Sequence, residues 1–174
     1  MDRRRFAGMD SAGEGTPPSD DGEGDAPVER IRARGHENVR GIHASTLEVT
    51  TDGWLTPAGD CILAVEADRA PADFDPAFVA ACRDAATTIT ATLRVSDDGD
   101  GPDHETTVRG RGHPDLTLDS ERSAVCRTSE YVDDRTVMVD ADSAAVDLER
   151  ELVAALADPA TDLMFELTVD PSVD

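Results

Sequence analysis

Residues 32–41, RARGHENVRG, combine an Arg-x-Arg-Gly-His run with residues typical of a turn. The run recurs at 109–117, RGRGHPDLT. In the first copy, small or apolar residues alternate with cationic ones, which is the period of a β-strand with one buried face. Ile31, Ala33 and Gly35 are therefore predicted to face the core.

In the second copy, Val108, Gly110 and Gly112 take the corresponding inward positions. The residues between them then project from the other face of each strand. This assignment places the following cationic or titratable side chains on the outward faces of the two copies: Arg32, Arg34, His36, Arg109, Arg111 and His113.

The residues after the first run suggest a β-hairpin. NVRG, residues 38–41, suits a type I turn, with Gly41 in the left-handed conformation of a three-residue hairpin loop. The register that this loop imposes pairs Ile31 with Val49 and Ala33 with Leu47, so that apolar residues face each other.

Short segments rich in Val, Ile, Thr and Leu recur along the chain between turn residues. Their number and spacing predict a mainly β (α+β) domain, as an antiparallel β-sandwich or barrel-like domain with two amphipathic helices. The segments are 28–36, 42–50, 60–67, 87–95, 105–112, 123–128, 135–140 and 162–169.

Two helices are predicted to interrupt the strands. The first has Asp75 as its N-cap and Pro76 at its first position, and it buries residues such as Phe78. The second begins near Asp142 or Ser143, and its apolar face carries Ala145, Leu148, Leu152 and Leu156 at helical spacing.

The charge of the chain is unusual. The 174 residues carry a formal net charge of −22, with 38 carboxylates against 16 cationic residues, and every one of the 16 is arginine. At molar salt the Debye length is about 3 Å, so repulsion among surface carboxylates is screened. The composition predicts a halophilic, cytoplasmic protein and disfavours nonspecific binding to nucleic acid or anionic membranes.

Domain organisation follows from composition. Residues 1–27 are rich in Gly, Ser, Pro and acidic residues, which predicts a disordered acidic tail. One mainly β domain is expected at 28–169, and a short C-terminal tail at 170–174. The RRRF motif near the start is not followed by the apolar region of an export signal, and no run is apolar enough to span a membrane.

Three classes of function remain open. Arginine forks and nearby glycines favour an anion site for a phosphate-bearing ligand, a nucleotide or RNA, on the Arg/His face. A metal-dependent or Cys/His enzyme would need the convergence of His36, His113, Asp60 and Cys61, whose spacing matches no metal motif. A structural or protein-interaction domain would leave these residues scattered. The sequence identifies no cofactor and leaves the oligomeric state open.

Four blocks of sequence resemble a known family: GHENVRGIHASTLEVT, LTPAGDCILAV, RGRGHPDLTL and DRTVMVDADSAAVDLERELVAAL. In this order, over residues 28 to 169, they are similar to the archaeal family of domain of unknown function 371. The resemblance implies an archaeal protein with a mainly β domain, and it implies no activity that could be carried onto named residues.

Overall fold

The computed structural model describes residues 27–96 and 103–170. The two predicted tails and the segment 97–102 lie outside this part, apart from Pro27 and Asp170. The strands are β1 (Val28–Arg34), β2 (Thr46–Thr50), β3 (Ile62–Ala64), β4 (Thr88–Ser96), β5 (His104–Arg111), β6 (Ser123–Arg127), β7 (Thr136–Met138) and β8 (Asp162–Asp170). The helices are α1 (Pro76–Cys82) and α2 (Arg150–Ala155), preceded by the 3-10 turns Pro71–Asp73 and Ala145–Asp147.

The eight strands form two four-stranded sheets. Sheet A has the order β1-β8-β4-β5 and is antiparallel throughout. Sheet B has the order β3-β2-β6-β7, in which β2 and β6 are antiparallel and the two edge pairs are parallel. Single bridges, Arg34 to Val65 and Arg111 to Val139, join the sheets at their edges. The described part is therefore a mainly β domain of two sheets, and it does not close into a barrel.

A single core lies among the two sheets and the helices. It includes Ile31 and Phe165 of sheet A, Leu47 of sheet B, Phe78 of α1 and Leu152 of α2, all of them at most 1% exposed. Each fully buried side chain of this size stabilises the fold by about 1.5–3 kcal/mol relative to exposure. The inward faces assigned from the two Arg-x-Arg-Gly-His runs are confirmed, since Ile31, Ala33 and Val108 are buried.

The same succession of elements occurs twice along the chain. β1, β2, β3, the first 3-10 turn, α1 and β4 are followed by β5, β6, β7, the second 3-10 turn, α2 and β8. Equivalent residues of the two halves pair directly at the centre of each sheet: Thr92 with Glu166 in sheet A, and Glu48 with Val125 in sheet B. An approximate two-fold axis therefore runs through the centres of both sheets.

The halves are interleaved. The N–H groups of Gly35 and His36 donate to the carbonyls of Thr161 and Leu156 in the second half. Gly112 and His113 make the equivalent bonds to the first half, ending on Thr87 and Cys82. Each Gly-His step thus docks on the end of the helix that belongs to the other half.

The predicted hairpin is wrong. β1 pairs with β8, so that Ile31 lies opposite Phe165, and β2 pairs with β3 and β6. After β1 the chain leaves sheet A because the backbone of Gly35 binds the second half instead of turning back. The left-handed conformation predicted at Gly41 is present, with φ of +58°, but the turn before it closes from His36 to Val39.

The first helix begins as predicted, with the Asp75 carboxylate accepting from the N–H of Ala77. The predicted start of the second helix is wrong. The Asp147 carboxylate accepts from the N–H of Ala144 and closes a short 3-10 turn, Leu148 is extended, and α2 begins only at Arg150. Leu148 and Leu152 are buried, as their spacing predicted.

No helix in the described ranges is both long enough and apolar enough to cross a membrane.

Candidate functional site

The second arginine of each run is held in an ion pair. Arg34 makes a two-bond contact with Glu66, in which Nε and one terminal nitrogen each lie 2.8 Å from a carboxylate oxygen. This hydrogen bonding raises the pKa of Arg34 and lowers that of Glu66. Arg111 makes the equivalent contact with Asp140 (2.6 Å) and another with Glu130 (2.8 Å). Both guanidinium groups therefore have their charge locally compensated.

The acidic partners of these arginines occupy equivalent places in the duplication. Glu66 and Asp140 each follow the residue that bridges to the opposite sheet, and both have a left-handed backbone, with φ of 57° and 52°. A left-handed conformation is unusual for residues other than glycine. Its presence at both positions indicates that the turn that presents the carboxylate to the arginine is part of the repeated unit.

The two histidines of the runs organise turns. Nδ1 of His36 accepts from the N–H of Asn38 (3.0 Å), and Nδ1 of His113 accepts from the N–H of Asp115 (3.0 Å). Both rings are half-buried. In both turns this bond to Nδ1 adds to the main-chain bond that closes the turn, from Val39 to His36 and from Leu116 to His113, which explains histidine in both copies without a ligand.

The prediction that the two runs converge at adjoining strand ends is wrong. β1 and β5 are the two edges of sheet A and run in opposite directions. Arg34 lies in the row that contains Ser96 of β4, and Arg111 lies in the row that contains Thr88. Eight residues along β4 correspond to about 26 Å, and three strand spacings add about 14 Å across the sheet. One small anion cannot contact both strand ends.

The two runs nevertheless share one face of the protein. The outward positions of sheet A carry six of the sixteen arginines against four carboxylates, Glu105, Asp162, Glu166 and Asp170. Between the arginines the central strands present threonines, Thr90, Thr92 and Thr168 among them. We call this surface the Arg/Thr face; its arginines are Arg30, Arg32, Arg34, Arg94, Arg109 and Arg111.

The arginines of the Arg/Thr face differ in how they are compensated. Glu166 binds both Arg30 (2.8 Å) and Arg94 (3.3 Å) across the centre of the sheet. Arg32 and Arg109 are exposed and related by the two-fold axis. The backbone N–H of each donates to a carboxylate, of Asp68 (2.9 Å) and Asp142 (3.0 Å), but their guanidinium groups have no hydrogen bond or ion pair within the described ranges. Of the six predicted site residues, these two arginines have the guanidinium groups that are available to a ligand.

His113 borders a cleft of about 570 Å³. Its rim carries five carboxylates, and this concentration of negative charge opposes the binding of a phosphate there. The carboxylates belong to Asp115, Asp119, Glu130, Asp133 and Asp134. Hydrogen bonds to Asp133 from Arg135 and Thr136, together with the charge of Arg127, outweigh the opposing effect of burial and lower the pKa of Asp133 to about 2.

The residues of the enzyme and metal hypotheses do not assemble. Sγ of Cys61 donates to Glu48 (3.2 Å), and burial followed by this carboxylate raises the pKa of the thiol to about 12. A catalytic cysteine needs the opposite shift. Asp60 uses its backbone carbonyl to bind the N–H of Ile42, while His36 and His113 belong to different halves. Across the described residues no three His, Cys, Asp or Glu side chains form a group able to hold a metal ion.

Sequence reasoning missed the acidic partners of the runs and the extent of the duplication. A signal was present, because the stretches 65–95 and 139–169 align with each other without a gap. The aligned stretches share VxAD, a later Asp and the triplet VAA. A comparison of these helical regions, rather than of the short arginine runs alone, would have revealed that the repeat extends over each half. It would also have aligned Asp68 with Asp142.

Comparison with known proteins identifies the family. Residues 31–170 match the family model described as Domain of unknown function (DUF371). The chain is also 36% identical over 139 residues to Uncharacterized protein MJ0206 of Methanocaldococcus jannaschii, a match that covers 80% of this chain and 97% of that protein. Since the matched region contains most of β1, the seven other strands and both helices, the chain belongs to the family of domain of unknown function DUF371.

Proposed function

We propose that this domain is a binding module for a phosphate-bearing chain, RNA in the first place, and that the ligand lies across the Arg/Thr face of sheet A. The observation that carries the proposal is the availability of Arg32 and Arg109. They are exposed among strand positions that carry six arginines against four carboxylates, in a chain whose overall formal charge is −22.

The chemistry of the face suits phosphate. A guanidinium group offers two parallel N–H donors to phosphate oxygens, and it keeps its charge at any physiological pH. Threonine hydroxyls between the arginines add neutral donors at Thr90, Thr92 and Thr168. The many acidic groups elsewhere restrict the binding of a polyanion to this one face.

The spacing favours a chain over a mononucleotide. Arg32 lies in the row of Arg94, and Arg109 lies in the row of Thr90, four residues away along β4. Together with three strand spacings, this corresponds to a Cα separation of about 20 Å. A single phosphate cannot contact both guanidinium groups, whereas successive phosphates of an oligonucleotide can.

The binding is expected to be independent of base sequence. The outward positions of sheet A include no aromatic side chain in the described ranges, so the face lacks the rings on which single-stranded bases stack. Contacts to the phosphate backbone alone carry no sequence information.

Fluorescence anisotropy with a short single-stranded oligoribonucleotide, measured across a KCl series, tests the proposal. If Arg32 and Arg109 each neutralise one phosphate, the slope of log affinity against log salt is about −1.4. Replacing both arginines by alanine should remove most of that slope and weaken binding by roughly tenfold or more per arginine, since a charged hydrogen bond contributes about 1.5–3 kcal/mol.

The matched control is the double variant Arg34→Ala and Arg111→Ala. It removes the same number of charges from the same two strands, but from guanidinium groups that are already paired with carboxylates. Equal weakening by the two double variants would show that only overall charge matters, and an absence of binding at every salt concentration that keeps the protein folded would reject the proposal. If the variants instead lose the binding of a small phosphorylated ligand but keep that of the oligoribonucleotide, the face holds a site for a mononucleotide.

A further inference from the structure

A groove of about 550 Å³ lies between the first 3-10 turn, α1 and the loop before β6. Aromatic and aliphatic groups form most of its surface, and Asp119 and Arg83 are its two charged lining residues. The residues that face it include Pro71, Ala72, Phe74, Pro76, Val79 and Leu118.

The internal duplication shows what occupies the equivalent place in the second half. There the side chain of Arg150, the first residue of α2, folds back over the second 3-10 turn. Its guanidinium donates to the carbonyls of Ala145 (2.8 Å), Leu148 (2.9 Å), Gly41 (3.1 Å) and Val146 (3.2 Å). One arginine side chain thus satisfies four carbonyl oxygens of a turn and a loop.

The first half has the same carbonyl groups without the arginine. In the gapless alignment of the two halves Pro76 takes the place of Arg150, while Pro71, Ala72 and Phe74 take the places of Ala145, Val146 and Leu148. Leu118 corresponds to Gly41, and the two share a left-handed backbone, with φ of 50° and 58°. These four equivalents all line the groove. No side-chain hydrogen bond to their carbonyls is present among the described residues.

The residues that line the groove also suit the aliphatic part of an arginine side chain. The rings of Phe74 and Pro76 and the side chains of Val79 and Leu118 provide an apolar surface for the aliphatic stem. Asp119 adds a carboxylate to the lining. A lysine ammonium would reach fewer of these acceptors, because it lacks the planar fork that Arg150 uses to bind carbonyls on two sides.

A source of arginine is close to the groove along the chain. Glu29, the second residue of β1, accepts from the N–H of Asp75 (2.6 Å), so the chain enters sheet A directly beside residues that line the groove. The sequence before β1 contains three arginines, Arg3 to Arg5, followed by Phe6. Twenty-one residues, 7–27, separate this segment from β1, and a flexible chain of that length has an average reach of roughly 25 Å.

We propose that this groove is a binding site for an arginine side chain and that its occupant is the chain's own N-terminal segment, Arg3–Phe6. The segment inserts one guanidinium where Arg150 lies in the second half, and a neighbouring side chain covers the apolar surface. Tethering gives the segment an effective concentration near the millimolar range, which compensates for the modest affinity of one side chain.

The test uses the whole 174-residue chain in molar KCl and asks whether the groove protects the segment. Trypsin cleaves after arginine, and when opening is fast its rate follows the undocked fraction. A segment docked for about nine tenths of the time is cleaved about tenfold more slowly than a free one. The groove variant is Pro76→Arg, which supplies the first half with the arginine that the second half already has, and Pro76→Ala is its matched control.

We expect slow cleavage after Arg3–Arg5 in the wild type and in Pro76→Ala, and cleavage about tenfold faster in Pro76→Arg. A second measurement follows the amide NMR signals of Ala72, Phe74 and Asp119. They should shift when Arg3, Arg4 and Arg5 are together replaced by alanine, and the same replacement should leave them unchanged in the Pro76→Arg background.

Two results would overturn the proposal. One is equal cleavage rates in the wild type and Pro76→Arg, and the other is amide signals of the groove that do not shift when the three arginines are replaced by alanine. N-acetyl-arginine amide, titrated into the alanine variant, should restore the shifts of the wild type. If this compound shifts the groove signals while the replacements do not, the site takes arginine from a different molecule and the assignment of its occupant is wrong.

Discussion

The interleaving of the two halves depends on Gly35, and its replacement by alanine is the sharpest test of the fold. A Cβ at this position would lie 2.2 Å from the carbonyl oxygen of Leu156 and 2.5 Å from that of Asp158. Both atoms belong to the backbone at the end of α2, so neither can rotate away as a flexible side chain can. The chain must retreat by about 1 Å to reach an ordinary contact of 3.4 Å.

The cost has two parts. Forcing an extra methyl group into a packed interior destabilises a protein by about 1–3 kcal/mol. The retreat also stretches the bonds from the N–H groups of Gly35 and His36 to the second half, at 2.9 and 3.0 Å, each with a net contribution of about 0.5–1.5 kcal/mol. We expect Gly35→Ala to lower the free energy of unfolding by about 4 kcal/mol, which lowers the melting temperature by about 8–16 °C for a domain of this size.

Circular dichroism during heating in molar KCl measures this change. The control is Gly53→Ala, because a Cβ there meets only the flexible end of Glu66, at 3.3 Å, and Gly53 is exposed. It should change the melting temperature by no more than about 1–2 °C. Gly112→Ala, with a Cβ 2.2 Å from the carbonyl of Cys82, should repeat the effect of Gly35→Ala. If Gly35→Ala has the same melting temperature as Gly53→Ala, the two halves do not approach each other closely at Gly35 and this reasoning is wrong.

Further predictions concern single residues and the solvent. Gly41→Val should destabilise the fold by about 1 kcal/mol or more, because valine resists a φ of +58° and its Cβ would lie 2.7 Å from Val153; equal melting temperatures would contradict this. The 38 carboxylates predict a melting temperature that rises steeply between dilute and molar KCl, and a flat salt series would oppose that prediction. Cys61 should react slowly with iodoacetamide at pH 8 because the pKa of its thiol is raised to about 12, and Glu48→Gln should speed the reaction. Burial also raises the pKa of the Cys126 thiol to about 12. The unfolded chain releases this proton near pH 9, so stability in urea should fall as pH rises from about 9 to 12, and less so in Cys126→Ala.

Local patterns predicted the elements of this fold well. Segments rich in Val, Ile, Thr and Leu between turn residues located all eight strands, and period-2 alternation located the buried side of β1, because both signals depend on local sequence alone. The Asp-Pro pair located the start of α1 for the same reason. Strand partners were not predictable in this way. Val49 and Phe165 are both apolar, so the sequence of β1 does not distinguish between them as partners of Ile31. The observed pairing with Phe165 accompanies a backbone hydrogen bond from Gly35 to Thr161 in the other half.

The candidate site shows the same limit. The outward direction of Arg32 and Arg109 followed from alternation, but the compensation of Arg34 and Arg111 required Glu66 and Asp140, which a turn in another part of each half brings to the arginine. Convergence of the two runs was inferred from their likeness. The likeness of the two runs reflects a two-fold axis, and equivalent residues on the two edge strands of sheet A lie far from that axis and therefore far from each other.

The exchange of Gly-His steps between the halves governs when the protein can fold during synthesis. The first half leaves the ribosome with β1 lacking β8 and with Gly35 lacking the carbonyl of Leu156. β4 also lacks β8, its central partner in sheet A, because β8 is the last strand of the described part to be made. Nascent chains that end before β8 therefore expose apolar strand faces, and the domain has to form in one late step after release of its final strand.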